Sequence, residues 1–511
     1  MNIKQAKQEI KNAVRAYLAK TPEGDYQIAP VRQRPMLLMG PPGIGKTQIM
    51  EQIARECRIG LVSYTITHHT RQSAVGLPFI TKEEFDGKEM SVTEYTMSEI
   101  IASVYREMRD TGLKEGILFI DEINCVSETL APTMLQFLQG KTFGNQAVPE
   151  GWLIVAAGNP PEYNKSVREF DMVTLDRVRQ MHIDADFGVW KEYARQQEIH
   201  PALLAYLDLR PANFYRVEND VDGMQFVTAR GWEDLSSLMK VYEELDISLM
   251  EESIREYLAH DEVAKDVAAY IDLYHKYEDH YGISEILEGH VKTSVYERLF
   301  RASFDEKISV VHLLLSGLHQ SFAKAIEQKK LTDDWFDFLK RYRSPLMAGK
   351  DGVSTYVELC EALEENLALQ KKQGFLEKKD AAGRQRLVEK ICRAIPDPQE
   401  IVGKIPEEVF ELVRKPFAAE VTELERREKE SCKKLEYAFD FVEAAFQEGQ
   451  ELVVFVTELA MDETAVLFLA ENECERFQKY NQELLLGTKK AELLSELREG
   501  ARRSEEHIRD F

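Results

Sequence analysis

Positive charge is what this sequence is short of. Sixty-five Lys and Arg stand against 89 Asp and Glu, a formal net charge of −24. Such a chain is a poor passive binder of nucleic acid or of an acidic membrane, because counterion release needs clustered Lys and Arg. Cysteine is scarce too: the six residues Cys57, Cys125, Cys360, Cys392, Cys432 and Cys474 lie far apart and never as Cys-x-x-Cys. That spacing fits reduced thiols and argues against a disulfide framework or zinc ligation. Long apolar runs are absent as well, and a stretch such as Leu452-Val453-Val454-Phe455-Val456 is far too short to span a bilayer. The opening Met1-Asn2-Ile3-Lys4-Gln5-Ala6-Lys7 begins a charged amphipathic pattern, not a signal peptide, so a cytoplasmic protein without membrane partners is expected.

What is present is a phosphate-binding pattern. Gly40-Pro41-Pro42-Gly43-Ile44-Gly45-Lys46-Thr47 follows the apolar run Met36-Leu37-Leu38-Met39 and precedes Ile49, Met50 and Ile53 at helical spacing. Glycines permit the positive φ angles that turn successive N–H groups inward around an anion, and the following helix would point its N-terminus at it. Lys46 is then expected to reach the β- and γ-phosphates of ATP, and the Thr47 hydroxyl to ligate Mg²⁺.

Two further segments extend the site. Gly116-Ile117-Leu118-Phe119-Ile120 runs into the carboxylates Asp121 and Glu122. Asp121 at the strand end is expected to help hold Mg²⁺, and Glu122 to act as general base for the water attacking the γ-phosphate. Trp152-Leu153-Ile154-Val155-Ala156-Ala157 leads to Gly158-Asn159-Pro160, where the Asn159 amide is placed to orient that water. A lone Asn-Pro is also a turn initiator; its position after a strand favours the catalytic role. His68 and His69 have no carboxylate or thiol at ligand spacing and are read as loop residues.

Along the chain, Ile3 to Leu18 reads as a helix with Ile3, Ala6, Ile10, Val14 and Tyr17 on one face. Strands are expected at Met36 to Met39, Gly60 to Ile66, Ile117 to Ile120, Leu153 to Ala157 and Met181 to Ile183, alternating with helices. This is the pattern of an α/β fold whose parallel sheet is sandwiched by helices. Beyond Asp186 the strands are expected to stop. The remainder reads as helix, jointed at Pro211, at Ser344-Pro345 to Gly352 and at Ile395 to Pro406, with one long amphipathic helix over Phe417 to Gln447. The expected division is 1–34, an N-terminal helix and linker; 35–186, the nucleotide-binding domain; 187–279, a helical lid; and 280–511, an all-α C-terminal extension.

The runs GPPGIGKT, ILFIDEIN, VAAGNPPEYN, TLDRVRQ and FVTARGWEDL together resemble AAA+ P-loop ATPases, and within them the MoxR-like group with a helix-2 insert. The resemblance covers about the first half of the chain. It implies that Asn159 is the sensor-1 residue, Arg177 the arginine finger and Arg230 sensor 2. Arg179 and Arg168 compete with Arg177, which is preferred on motif position. An arginine acting on a neighbour's nucleotide makes the working state a ring, a hexamer in the usual form of the family. Thr67 to Lys82 and Gly140 to Gly151, which contains Phe143-Gly144-Asn145, resemble the helix-2 insert and the pre-sensor-1 hairpin that face the ring channel. The implied activity is ATP hydrolysis that remodels or activates a protein partner, of which a von Willebrand factor A domain protein is one class. The alternatives are a nucleic-acid-directed motor or defence component, which the acidity disfavours, and a nucleotide-gated scaffold, for which Asp121, Glu122, Asn159 and Arg177 would be superfluous.

Overall fold

The computed structural model describes residues 1–68, 74, 76–143, 146–163, 167, 170–220 and 223–484. Its centre is a five-stranded sheet of β1 (Met36–Met39), β2 (Gly60–Thr65), β5 (Gly116–Asp121), β8 (Trp152–Gly158) and β9 (Arg179–His182), in the order β2-β5-β8-β1-β9. All four neighbouring pairs are parallel, with Leu37 opposite Ala156 and Ile117 opposite Leu153.

Parallel strands covered on both faces should be apolar almost throughout, and the inner strands β1, β5 and β8 are, while the outer strands β2 and β9 are half polar and partly exposed. Leu37, Leu118, Ile120, Ile154 and Ala156 point into one core with α3 (Glu99–Thr111) and α4 (Ala131–Gly140). The alternate residues Met36, Leu38, Ile117, Phe119, Leu153, Val155 and Ala157 point into a second core, with α1 (Ile3–Leu18) and α2 (Lys46–Cys57). On α1 the buried positions are Ala6, Ile10, Ala13, Val14 and Tyr17. Its start is fixed by Asn2, whose side chain accepts from Gln5 N while Gln5 Oε1 accepts from Asn2 N. Removing a ring from this core, as in Phe119→Ala, costs about 3–5 kcal/mol.

Among the described residues three hairpins lie outside the sheet: β3 (Pro78–Phe85) with β4 (Lys88–Tyr95), the short β6 (Thr142–Phe143) with β7 (Gln146–Ala147), and β10 (Arg216–Asp220) with β11 (Gly223–Val227). The last corrects the expectation that strands end at Asp186. Its residues alternate without a strong apolar face, so little in the composition marks them as strand. The first is set by Asp86-Gly87, both at positive φ (51° and 75°), the turn chemistry of a two-residue hairpin loop. It carries the segment expected as a channel loop on to Tyr95. His69, Gly144, Asn145, Arg168 and Glu169 lie outside the described residues.

The chain forms two compact units, each discontinuous in sequence. One comprises Met1–Trp190, Phe214–Asp234 and Ala362–Gln385; the other comprises Lys191–Asn213, Leu235–Glu361 and the chain from Arg386 onward. The second is helical among its described residues. Its main pair is α9 (Phe304–Met347) with α12 (Pro406–Phe446), and α6 (Pro201–Leu209), α8 (Asp261–Tyr281), α13 (Gln450–Met461) and α14 (Glu463–Glu471) belong to it as well; α5 (Phe187–Gln196), α7 (Ala229–Glu244), α10 (Gly352–Lys372) and α11 (Lys378–Arg393) each have residues in both units. The helices α9 and α12 run antiparallel: Ser321 Oγ meets Ser431 Oγ at 2.8 Å, and Gln328 donates to Glu420 O at 3.1 Å. The long helix expected from Phe417 is present and begins earlier, at Pro406, where a proline costs no helical hydrogen bond. Leu435, Phe439, Val442 and Phe446 are buried on it. The chain breaks between Met347 and Gly352, inside the stretch expected as a joint from Ser344-Pro345 to Gly352, with Pro345 still in the last turn of α9. No described helix is long and apolar enough to cross a membrane.

Inside the helical unit sits a charged cluster. Lys191 Nζ lies 2.5 Å from Asp208 Oδ1 and 2.9 Å from Glu458 Oε1, Arg195 pairs with Glu458, and His312 Nε2 is 3.3 Å from Asp208 Oδ2. Asp208, His312 and Glu458 are metal-ligating types within 4.8 Å of one another, but Lys191 and Arg195 already supply the positive charge a cation would bring. Burial pushes the His312 imidazole below its ordinary 6.5, against the pull of Asp208 and Glu458. The unfolded chain therefore takes up this proton first, and stability falls as pH drops below about 6.5. Burial raises Glu458 and the Lys191 and Arg195 charges lower it, with a net shift below 4.5, so its contribution is lost only under more acidic conditions. His312→Gln should flatten the fall in thermal unfolding midpoint between about pH 7 and pH 5.5; an unchanged slope would show that His312 is not its source.

Candidate functional site

Strand order assembles the site. Since β1 lies between β8 and β9, and β8 between β1 and β5, the loop after β1 and the ends of β5 and β8 share the carboxyl edge of the sheet. That edge, where strand order reverses, is where open α/β sheets bind ligands. Gly43 and Gly45 take positive φ (73° and 89°), and α2 starts at Lys46 with no side chain capping it. Its first N–H groups are thereby left for an anion.

Lys46 is buried and points back across the loop. Its Nζ donates to Gly40 O and Pro41 O, each at 2.8 Å, and to Asn159 Oδ1 at 2.9 Å. Burial pushes its pKa down to about 8; Asp121 and Glu122 pull it up and Arg230 pushes it down. A buried ammonium bonded to neutral oxygens is a seat for an anion. Beside it, Thr47 Oγ1 donates to Asp121 Oδ2 at 2.8 Å, and Asp121 Oδ1 accepts from Glu122 N at 2.9 Å. Lys46, Thr47, Asp121 and Asn159 are thus brought together from three neighbouring strand ends. Pro41, Pro42 and Ile44 complete the loop, with Ile44 buried in the α1–α2 core.

Glu122 itself stands in the left-handed region, φ 56°. A non-glycine residue there costs about 1 kcal/mol or more. The turn is held by Ile123 N on Ala157 O at 2.9 Å and Cys125 N on Glu122 O at 2.9 Å. Buried Asn124, which has no role in the sequence reading beyond the DEIN run, makes two bonds to the main chain of Asn159. Its Nδ2 donates to Asn159 O at 2.8 Å, and its Oδ1 accepts from Asn159 N at 3.3 Å. A Cβ on Gly158 would lie 2.6 Å from Asn124 Oδ1, so only glycine lets this amide sit against the strand end. Asn124 therefore positions Asn159, a role no spacing rule reveals.

Of the arginines, Arg230 lies near enough for its charge to act on Lys46, while Arg177 and Arg179 pair elsewhere. Arg177 is exposed and donates to Gln139. Arg179 is 3.4 Å from Glu9, an intramolecular ion pair, and Arg168 lies outside the described residues. Arg230 is exposed in the first turn of α7, and its main-chain N–H donates to Gly43 O at 3.2 Å. Cys125 is half-buried, and none of the six cysteines is in a disulfide.

Residues 36–175 match the family described as ATPase family associated with various cellular activities (AAA). The match spans the phosphate loop, Asp121, Glu122 and Asn159, and ends before Arg177 and Arg230. No curated protein matches the chain. With the parallel sheet and its flanking helices, the match makes the first unit's core a P-loop domain of AAA+ type, for which nucleotide binding is the general property.

The strain at Glu122 can be measured. Glu122→Gly should be more stable to unfolding than Glu122→Ala by about 1 kcal/mol, because glycine relieves the left-handed conformation. Denaturant unfolding of the two variants decides it; equal stabilities would mean the turn relaxes freely.

Proposed function

We propose that this chain hydrolyses ATP with Mg²⁺ in a ring of identical subunits and uses the energy to remodel or activate a protein partner, as MoxR-like ATPases do. The observation that carries the reading is the convergence of Lys46, Thr47, Asp121 and Asn159 at one sheet edge, within hydrogen-bond reach of one another. Lys46 would exchange its carbonyl partners for phosphate oxygens. Thr47 Oγ1 and Asp121 offer a hydroxyl and a carboxylate, the hard oxygen ligands that suit Mg²⁺, which when bound neutralises phosphate charge. Glu122 would take the proton of the attacking water, and Asn159, held by Asn124, would orient that water.

Arg177 is assigned to the nucleotide of the adjacent subunit. Its exposure supports that role over Arg179, which is already paired with Glu9. Arg230 is assigned as sensor 2, on the segment that touches the loop at Gly43, with residues 187–279 as the lid. The client surface is assigned to the β3–β4 hairpin, where Phe79, Ile80, Phe85 and Met90 are exposed and Ile80 is 75% accessible. A von Willebrand factor A domain protein is the client class that the MoxR-like resemblance implies, and a hexamer the expected ring. The net charge of −24 speaks against nucleic acid as the track.

Steady-state phosphate release tests the core of the reading. Lys46→Ala and Glu122→Gln should each lower kcat at least about a hundredfold, since each removes a group acting on the transferring phosphoryl or its water. Rates equal to the unaltered chain would sink the assignments.

A further inference from the structure

The stretch 214–234 belongs to the same compact unit as the sheet, and it grips the phosphate loop at two consecutive peptides. Tyr215 OH donates to Pro42 O at 3.1 Å, and Arg230 N donates to Gly43 O at 3.2 Å. These carbonyls belong to the Pro42–Gly43 and Gly43–Ile44 peptide planes. In a trans peptide the C=O and N–H point in opposite directions, so holding the two oxygens toward 214–234 turns Gly43 N–H and Ile44 N–H the other way. Those are amides of the glycine-rich loop, whose N–H groups cradle phosphate.

The Pro42–Gly43 plane is the one most in need of a lock. Rotating it changes ψ of Pro42 and φ of Gly43, and glycine accepts either sign of φ at little cost. Nothing intrinsic to the loop therefore selects the orientation with Gly43 at φ 73°. Tyr215 is well braced for the task. Its ring packs against the core cluster that includes Ile44 and Ile183, and meets Tyr163 edge-on at 6.5 Å and 76°. Tyr163 follows Asn159 by four residues, so the same ring touches the chain leaving β8. Burial pushes the Tyr215 hydroxyl well above its usual pKa, which keeps it a donor. On the other side, a Cβ at Gly43 would lie 2.9 Å from the Thr228 side chain, so the clasp is closed there.

We propose that Tyr215 is a positioning residue for nucleotide binding: its hydroxyl locks the Pro42–Gly43 peptide with the Gly43 N–H turned toward the phosphates. The role rests on the nucleotide-binding reading above. It links the segment entering the β10–β11 hairpin to the phosphate loop, and it makes Tyr215 a determinant of affinity that leaves the hydrolytic groups alone.

The test compares the full-length chain with Tyr215→Phe and Lys46→Ala. Phenylalanine keeps the ring packing and removes only the donor. Calorimetric titration with ADP should show about three- to tenfold weaker binding for Tyr215→Phe, the scale of one net hydrogen bond. In ATP hydrolysis KM should rise by a similar factor with kcat within about twofold, the signature of lost uniform binding. The ligand-free unfolding midpoint should not change. ADP affinity within about twofold of the unaltered chain overturns the proposal. A fall in the ligand-free midpoint, or a loss of kcat with KM unchanged, overturns it too, by making the role one of general stability or of chemistry. If the unaltered chain binds ADP no better than Lys46→Ala, the nucleotide-binding reading fails, and the lock fails with it.

Discussion

One buried ammonium organises the nucleotide-binding end of this molecule. Lys46 leaves the first turn of α2, crosses the loop it belongs to, and bonds to Gly40 O, Pro41 O and the Asn159 amide. Two of these partners are on the loop and one is on the neighbouring strand, so a single cation ties the loop to β8. Burying such a charge is costly unless it is fully hydrogen-bonded, and this requirement constrains what surrounds it. The carbonyls must face inward at Gly40 and Pro41, β8 must end at an amide-bearing residue, and that residue must be held in place by Asn124. The carboxylates of Asp121 and Glu122 lie near enough to pull the ammonium back toward its charged form.

From this cation the arrangement spreads in two directions. Through α2, the helix that starts at Lys46 buries Ile49, Met50, Ile53 and Ala54 against the sheet, so the loop is anchored to the core and not to a mobile surface. Through Pro42 and Gly43, the loop is gripped by Tyr215 and the Arg230 main chain. The same loop thus carries inward-facing partners for Lys46 and outward-facing partners for the hairpin segment, with the oxygens of Gly40, Pro41, Pro42 and Gly43 each bound by a donor. At the site itself the strained backbone falls on Glu122, where the chain must turn sharply after β5 to bring Asn124 under β8.

The helical unit solves a different problem. Its long helices bury apolar faces, and His312 is buried among them beside the partly buried Lys191, Asp208 and Glu458. Removing one member would leave another partly buried without its charge partner, which is costly.

Much of the first unit was legible from residue order. The five apolar runs became the five parallel strands, and GPPGIGKT, Asp121-Glu122 and Asn159 each sit at a strand end, because period and punctuation are local properties. The hairpins were not. Their strands are exposed, half polar and set by turns, so hydropathy carries little signal of them, although Asp86-Gly87 marks one. Asn124 and Tyr215 were also hidden, since an asparagine or a tyrosine has no spacing that announces a main-chain partner 35 or 173 residues away. Local chemistry by itself determined that this chain builds a phosphate-binding loop, a carboxylate pair and an apolar parallel sheet. Tertiary structure alone decided the strand order that brings Lys46, Asp121 and Asn159 to one edge, and which side chains hold the loop's peptides in place. The physical reason is that hydrogen-bond partners of buried groups are chosen by proximity in space, which sequence separation does not encode.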